Sequence, residues 1–234
     1  MAKKFDKQVV LVAGGTGGLG RAVSLAFMND GAELIVTWRN KPELDALRSA
    51  AGANASLQAH EVDVTDSAAV ERLFEDILAD KGRLDVMVNC TGGFSGGRKM
   101  WESDPAILDR MLDLNLRSGF LLARAAAKGM LIQGKGAIVN VAARAALEPS
   151  PGLAAYAASK AAALAAMNSL AADLKGSGVR VNSVLPSIID TEANRRAMPR
   201  ADFTKWPKPE DIARVILFLC SDDAMLIHGA AIPV

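Results

Sequence analysis

Tyr156 and Lys160, in the run Tyr156-Ala157-Ala158-Ser159-Lys160, are the side chains whose types and spacing best suit proton transfer. On a helix, a spacing of four places both on one face. A phenol has a pKa near 10, so moving its proton near neutrality needs a cation close by. Lys160 can supply that field. Tyr156 is also the only tyrosine in the 234 residues. The same spacing arises by chance at the edge of a core. The pair therefore means chemistry only if the surrounding elements aim it at a binding cleft.

A glycine cluster supplies such a cleft. Ala13-Gly14-Gly15-Thr16-Gly17-Gly18-Leu19-Gly20 follows the apolar run Val9–Val12 and precedes a helical stretch. Glycines there allow a tight turn and close approach of backbone to a pyrophosphate, and the helix N-terminus behind them favours negative charge. Gly14, Thr16, Gly18, Leu19 and Gly20 are thus expected to contact a dinucleotide. No Lys-Ser/Thr pair closes the loop, so it is not of the nucleotide-hydrolysing kind. The second apolar run ends Val36-Thr37-Trp38-Arg39, with no Asp or Glu to accept from ribose hydroxyls. Arg39 suits a 2′-phosphate, so NADP(H) is expected, with NAD(H) the alternative. Asp63-Val64 is placed to accept from an adenine amino group; the competing reading of Asp63 is a turn or capping residue. Asn89-Cys90-Thr91-Gly92-Gly93 leaves room beside the same ligand, and Asn89 is equally suited to bridging neighbouring strands.

The elements that must position these residues alternate. Val9–Val12, Glu33–Thr37, Leu57–Val62, Leu84–Asn89, Gly136–Val141, Val179–Leu185 and Ala230–Val234 read as strands, nearly continuous in apolar residues as strands covered on both faces are. Leu19–Asn29, Pro42–Ala50, Ser67–Ala79, Pro105–Leu131, Ala154–Leu174 and Pro209–Leu219 read as helices. Strand then helix, repeated, predicts an α/β chain: one doubly wound parallel sheet of about seven strands over residues 1–234. Ligands of such folds bind beyond the carboxyl ends of the strands, where every residue above falls. Half the residues are hydrophobic and 23% charged, which excludes a disordered chain. No apolar run is long enough to span a bilayer, and no apolar signal segment follows the first lysines, so a cytoplasmic protein is expected. Net charge is +1, so no nucleic-acid or membrane partner is expected. Cys90 and Cys220 are too few for a disulfide framework, and two histidines without paired cysteines predict no metal site. Cys90 reads as packing, since no histidine is placed to activate it.

In order and spacing these pieces resemble the short-chain dehydrogenase/reductase family over essentially the whole chain. The matching residues are Gly14-x-x-x-Gly18-x-Gly20, Asp63-Val64, Asn89-x-x-Gly92, Asn115 within Leu112-Asp113-Leu114-Asn115-Leu116, Tyr156-x-x-x-Lys160, and Pro186 to Thr191. The resemblance implies a Rossmann fold and hydride transfer between a nicotinamide and a small-molecule substrate. It makes Tyr156 the proton donor. Lys160 would hold the ribose and lower the tyrosine pKa, and Asn115 would hold a water in a proton relay. Pro186, Ile189 and Thr191 would touch the cofactor. A homodimer or homotetramer, joined through the two longest helices, is the family expectation.

The pattern breaks at Ala143, where the family places a serine that hydrogen-bonds the substrate oxygen. Residues 186–208 are expected to lid the substrate. They resemble dihydropteridine reductases at Asp190-Thr191, Asn194-Arg195, Met198-Pro199, Ala201-Asp202-Phe203 and Trp206, and those enzymes also lack the serine. Phe94, Ala143 and Asn194 are accordingly the expected substrate contacts. Arg195, Arg196, Arg200, Lys205 and Lys208 make the segment basic, read either as a site for an anion or as a solvated face offset by Glu192 and Asp202. Two functions follow. One is a serine-independent reductase of a small carbonyl or conjugated imine or quinonoid compound. The other is a cofactor-binding sensor or scaffold with little turnover.

Overall fold

A computed structural model describes residues 3–52, 56–148 and 150–234. Seven strands form one parallel sheet: β1 Val9–Ala13, β2 Glu33–Trp38, β3 Leu57–Glu61, β4 Val86–Asn89, β5 Gly136–Val141, β6 Val179–Leu185 and β7 Ala231–Pro233, in the order β3-β2-β1-β4-β5-β6-β7. Strand order reverses between β1 and β4, and that reversal opens a crevice beyond their carboxyl ends. Cys90 N–H donates to Ala13 O at 2.9 Å there, so the segments leaving both strands run side by side.

Helices α1 (Gly18–Asn29), α2 (Lys41–Ala51), α3 (Ser67–Lys81), α4 (Pro105–Met111), α5 (Ser118–Gln133), α6 (Ala154–Asp173), α7 (Glu192–Ala197) and α8 (Pro209–Cys220) complete the chain. Their ends follow local chemistry. Asp66 caps α3 by accepting from Ala68 N–H at 2.9 Å, and Asp104 caps α4 through Ala106 N–H at 2.9 Å, with Pro105 behind it.

Alternation along the strands divides the core. Leu11, Met87, Ile138 and Val181 pack on one face with Leu73, Phe74, Met130 and Met167 of α3, α5 and α6. Val10, Val12, Val86, Val139 and Val184 pack on the other with Val23, Phe27, Ile212 and Ile216 of α1 and α8. Each such side chain contributes roughly 1.5–3 kcal/mol on burial, which is what makes the sheet rigid enough to hold a site. β3 and β7 are edge strands, and their residues are partly buried or, at Glu61 and Pro233, exposed, unlike the fully covered strands expected there.

Two further differences bear on the site. The single helix expected over Pro105–Leu131 is broken by a π-helical turn at Leu112–Arg117, and it ends at Gln133. Ser118 Oγ donates back to Leu114 O at 2.7 Å, a bond that bends helices, and Asn115 turns its amide toward Gly93 instead of solvent. Gly119 then lets α5 lie close on the sheet, since a Cβ there would stand 3.0 Å from Asn89 Nδ2. The second difference is α7, a short helix within the segment 186–208, capped by Thr191 Oγ1 accepting from Asn194 N–H at 3.2 Å.

Candidate active site

The glycine loop is shaped by the absence of side chains. Gly14 lies in the left-handed region, φ 70°, and a Cβ on Gly20 would overlap the Gly14 carbonyl. α1 starts at Gly18 with Gly17 as N-cap and no side-chain cap, so its first N–H groups stay available to an anion. A cleft of about 340 Å³ opens here, lined among others by Gly14, Thr16, Arg39, Val64, Thr91 and Gly92. Glu43, Trp38 and Cys90 line it too. Sequence reasoning passed over Glu43, which lies in the first turn of α2 where its Oε2 accepts from Thr16 Oγ1 at 3.3 Å. The donor set and open backbone fit a dinucleotide phosphate.

Asp63 makes turn bonds: its Oδ1 accepts from Thr65 N–H at 2.9 Å and from Thr65 Oγ1 at 2.7 Å. Those bonds, chiefly the hydroxyl's, hold its carboxyl below the usual range, helped by Arg39 nearby. Asn89 bridges strands. Its Nδ2 donates to Asn140 Oδ1 at 2.9 Å, while its Oδ1 accepts from Thr91 N–H at 3.0 Å and from Thr91 Oγ1. Both carboxamide and carboxylate thus shape the cleft wall through Thr65 and Thr91.

Tyr156 lies in the first turn of α6, half-buried, with the exposed Phe94 ring edge-on at 5.0 Å. Burial pushes the phenol above its ordinary value. Lys160, one turn on, is only 7% exposed, and its Nζ donates to Val141 O at 3.0 Å. Burial lowers its pKa to about 8. Gly92 leaves space for this ammonium: a Cβ there would stand 3.1 Å from Lys160 Nζ and 2.8 Å from Asn115 Oδ1. Asn115, 2% exposed, spends its amide on protein. Oδ1 accepts from Gly93 N–H at 2.9 Å, and Nδ2 donates to Gly93 O at 3.1 Å and to Ser159 Oγ at 2.9 Å. Ala143 is buried on extended backbone at the end of β5 and offers no donor. The Cys90 thiol is pushed up to about 12 by burial, in keeping with packing.

The segment 186–208 is internally tied. Asp190 takes a two-pronged bond from Arg195, 2.5 Å from Nε and 2.7 Å from Nη2. Arg195 lies 5.0 Å over the Phe203 ring, which meets Trp206 at 4.9 Å. Arg196 pairs with Glu192 at 2.7 Å and Lys205 with Asp202 at 3.6 Å, so much of the basic charge is already offset. Asn194 Nδ2 donates to Ile189 O at 2.8 Å, which holds the loop's own backbone. Thr191 reaches the glycine loop: a Cβ on Gly18 would meet its Cγ2 at 2.8 Å. Phe94 and Trp101 stand exposed, with Lys99 Nζ 5.1 Å over the Trp101 ring.

The fold and its cleft define a Rossmann-type dinucleotide-binding protein. The family model described as enoyl-(acyl carrier protein) reductase matches residues 13–234. A 3-oxoacyl-[acyl-carrier-protein] reductase FabG from Thermotoga maritima is 32% identical across 98% of this chain and 96% of its own length. A D-threitol dehydrogenase from Mycolicibacterium smegmatis is 34% identical across 97% of this chain and 91% of its own. Among solved structures, a short-chain type dehydrogenase/reductase from Mycobacterium ulcerans aligns with a TM-score of 0.93 at 28% identity, covering 99% of this chain and 89% of that one. Levodione reductase aligns at 0.92 and 27% identity, covering 98% and 96%. The chain belongs to the short-chain dehydrogenase/reductase family, a family of oxidoreductases that use a nicotinamide dinucleotide. Among the described residues, no helix is long and apolar enough to cross a membrane, and no cluster of side chains suits a metal.

Proposed function

We propose that this protein is an NADP(H)-preferring reductase that works without a serine on a small carbonyl or conjugated imine or quinonoid substrate. The observation that carries this is the buried Lys160 ammonium beside Gly92, a residue that lines the dinucleotide cleft, with Tyr156 one helical turn away on the same helix. When bound, the nicotinamide supplies the hydride. Tyr156 gives its phenolic proton to the substrate oxygen or nitrogen. Lys160 keeps two N–H donors beyond its bond to Val141, which suits it to hold ribose hydroxyls and to steady the phenolate left behind. Thr191 and the first N–H groups of α1 hold the phosphates, and residues 186–208 cover the substrate beside Phe94. Asn115 acts here by fixing the floor at Gly93; a relay water falls to backbone carbonyls of its π-helical turn. Asn194 shapes the lid through Ile189. We extend the reading to a homo-oligomer joined through α5 and α6, on the exposed Phe120 and Leu131 of α5.

Ala143 narrows the substrate. A serine donor at that point steadies negative charge growing on a carbonyl oxygen, an effect worth about 3 kcal/mol. An electron-poor quinonoid ring spreads the charge and needs no such donor. A pterin of that kind is the most specific candidate, on the likeness of the segment 186–208 to dihydropteridine reductases. Ala143→Ser is expected to raise kcat/KM on simple ketones by about ten-fold or more and to leave a quinonoid acceptor within about two-fold. A large gain on the native acceptor would count against the electron-poor substrate.

Arg39 carries the cofactor preference. Arg39→Ala is expected to raise the NADPH Kd about ten-fold, more at low salt, and to leave NADH within about two-fold. Equal losses for both would remove the assignment. The test of the whole reading is NADPH oxidation against quinonoid dihydropterins, quinones and ketones. Turnover of one class names the chemistry. Tight NADPH binding with no turnover on any of them supports the second reading, a cofactor-binding sensor, which the missing serine favours.

A further inference from the structure

We infer that Ser159 is a positioning residue for Tyr156, the last link of a hydrogen-bond chain that runs from Gly93 through Asn115 to the Tyr156 carbonyl. The inference rests on the reading of Tyr156 as proton donor.

Ser159 is fully buried. Its hydroxyl donates to Tyr156 O at 2.8 Å and accepts from Asn115 Nδ2 at 2.9 Å. The direction of each bond is forced. Gly93 N–H can only donate, so Asn115 turns Oδ1 toward it, at 2.9 Å. That leaves Nδ2 facing Ser159, whose oxygen must then accept, and the single hydroxyl proton goes to the Tyr156 carbonyl. A helix serine bonded only to its own preceding turn is ordinary. A second bond to an element 44 residues away is not; it fastens α6 to the π-helical turn.

The start of α6 needs this fastening. Its N-cap, Leu153, provides no side-chain cap, and Tyr156 is the third residue of the helix. Uncapped first turns fray. The partner of the phenol ring, Phe94, is itself 68% exposed and gives little restraint. Lys160 has its own anchor at Val141 O, so the tyrosine, not the lysine, depends on Ser159.

Tyr156 is the only tyrosine, so phenolate absorbance in the free protein titrates it alone. Ser159→Ala is expected to move that titration down toward about 10, the value of a hydrated phenol. It is expected to cut kcat about ten-fold with the NADPH KM within two-fold. Asn115→Ala should displace the titration alike, and the double variant no further than the larger single change, because both break one chain. Ser159→Cys fills the same space with a weaker donor and should shift the titration the same way by less; it carries the test if the alanine variant does not fold. A wild-type titration with kcat within two-fold in Ser159→Ala overturns the inference, as do effects of Ser159 and Asn115 that simply add. If the wild type turns nothing over, the proton-donor reading falls, and the titration alone decides the positioning.

Discussion

Tyr156→Phe is expected to lower kcat for NADPH-dependent reduction by about 10³-fold, with the NADPH Kd unchanged within about two-fold. Positioned acid catalysis is worth roughly 10²–10⁴-fold, and the substitution removes the whole of it. Little else changes. The ring stays, so the edge contact with Phe94, worth roughly 0.5–1.5 kcal/mol, stays as well. The direction of the pKa displacement adds a second expectation. Burial holds the phenol above its ordinary value, so it is protonated at neutral pH and ready to give a proton, not to take one. Reduction should therefore fall first as the Lys160 ammonium is lost near pH 8, in wild type and variant alike, and fall again as pH rises through the phenol's pKa; only this second fall should be missing in Tyr156→Phe. Single-turnover rates from pH 6 to 10.5 with a fluorescence titration of NADPH read both. A phenylalanine variant that retains a tenth of the rate would assign the proton to another donor.

The strands were legible because a sheet covered on both faces requires unbroken apolar runs, and Val9–Ala13, Gly136–Val141 and Val179–Leu185 have them. What escaped was set by contacts distant in sequence. Leu112-Asp113-Leu114-Asn115-Leu116 has ordinary helical composition, and only the reach of Asn115 to Gly93, 22 residues earlier, marks the π-helical turn. Asp63 and Asn89 each allowed two roles, and their partners, Thr65 and Asn140, settle which bonds they make. A run of basic residues over 195–208 cannot show that Arg195 closes on Asp190. That pair has the five-residue spacing of a turn-plus-helix, and the turn was not foreseen. Ala143 was readable because the likeness to the family fixed what should stand there, whereas Ser159 carried no signal until its two bonds were in view.

Lys160→Met is expected to divide function from stability. It should cut kcat by about 10²-fold or more and weaken NADPH binding, since the ammonium is the group suited to ribose and to the phenolate. In the free protein it should raise stability at pH 7. Burial lowers the Lys160 pKa from 10.5 to about 8, a cost of about 3 kcal/mol for holding the charge inside. The variant removes that cost but takes the charged donor from Val141 O, a loss of about 2 kcal/mol, so a net gain of about 1 kcal/mol follows. The sign of the pH dependence is fixed by the same numbers. Between pH 8 and 10.5 the unfolded chain holds the lysine proton and the folded chain does not, so wild-type stability gains about 3 kcal/mol from this group as pH rises. Below pH 8 both states are protonated and the group gives no slope. Cys90, pushed up to about 12, acts in the opposite sense above pH 9, as does Tyr156 above pH 10. Both are present in wild type and variant, and of the two only Cys90 is coupled to the lysine, so the difference between the two urea midpoints across pH 7–10.5 reports the lysine together with that coupling. A difference that starts near about 1 kcal/mol in favour of methionine and reverses by pH 10.5 is the expected curve. A flat difference would mean that the lysine keeps its ordinary pKa in the free protein.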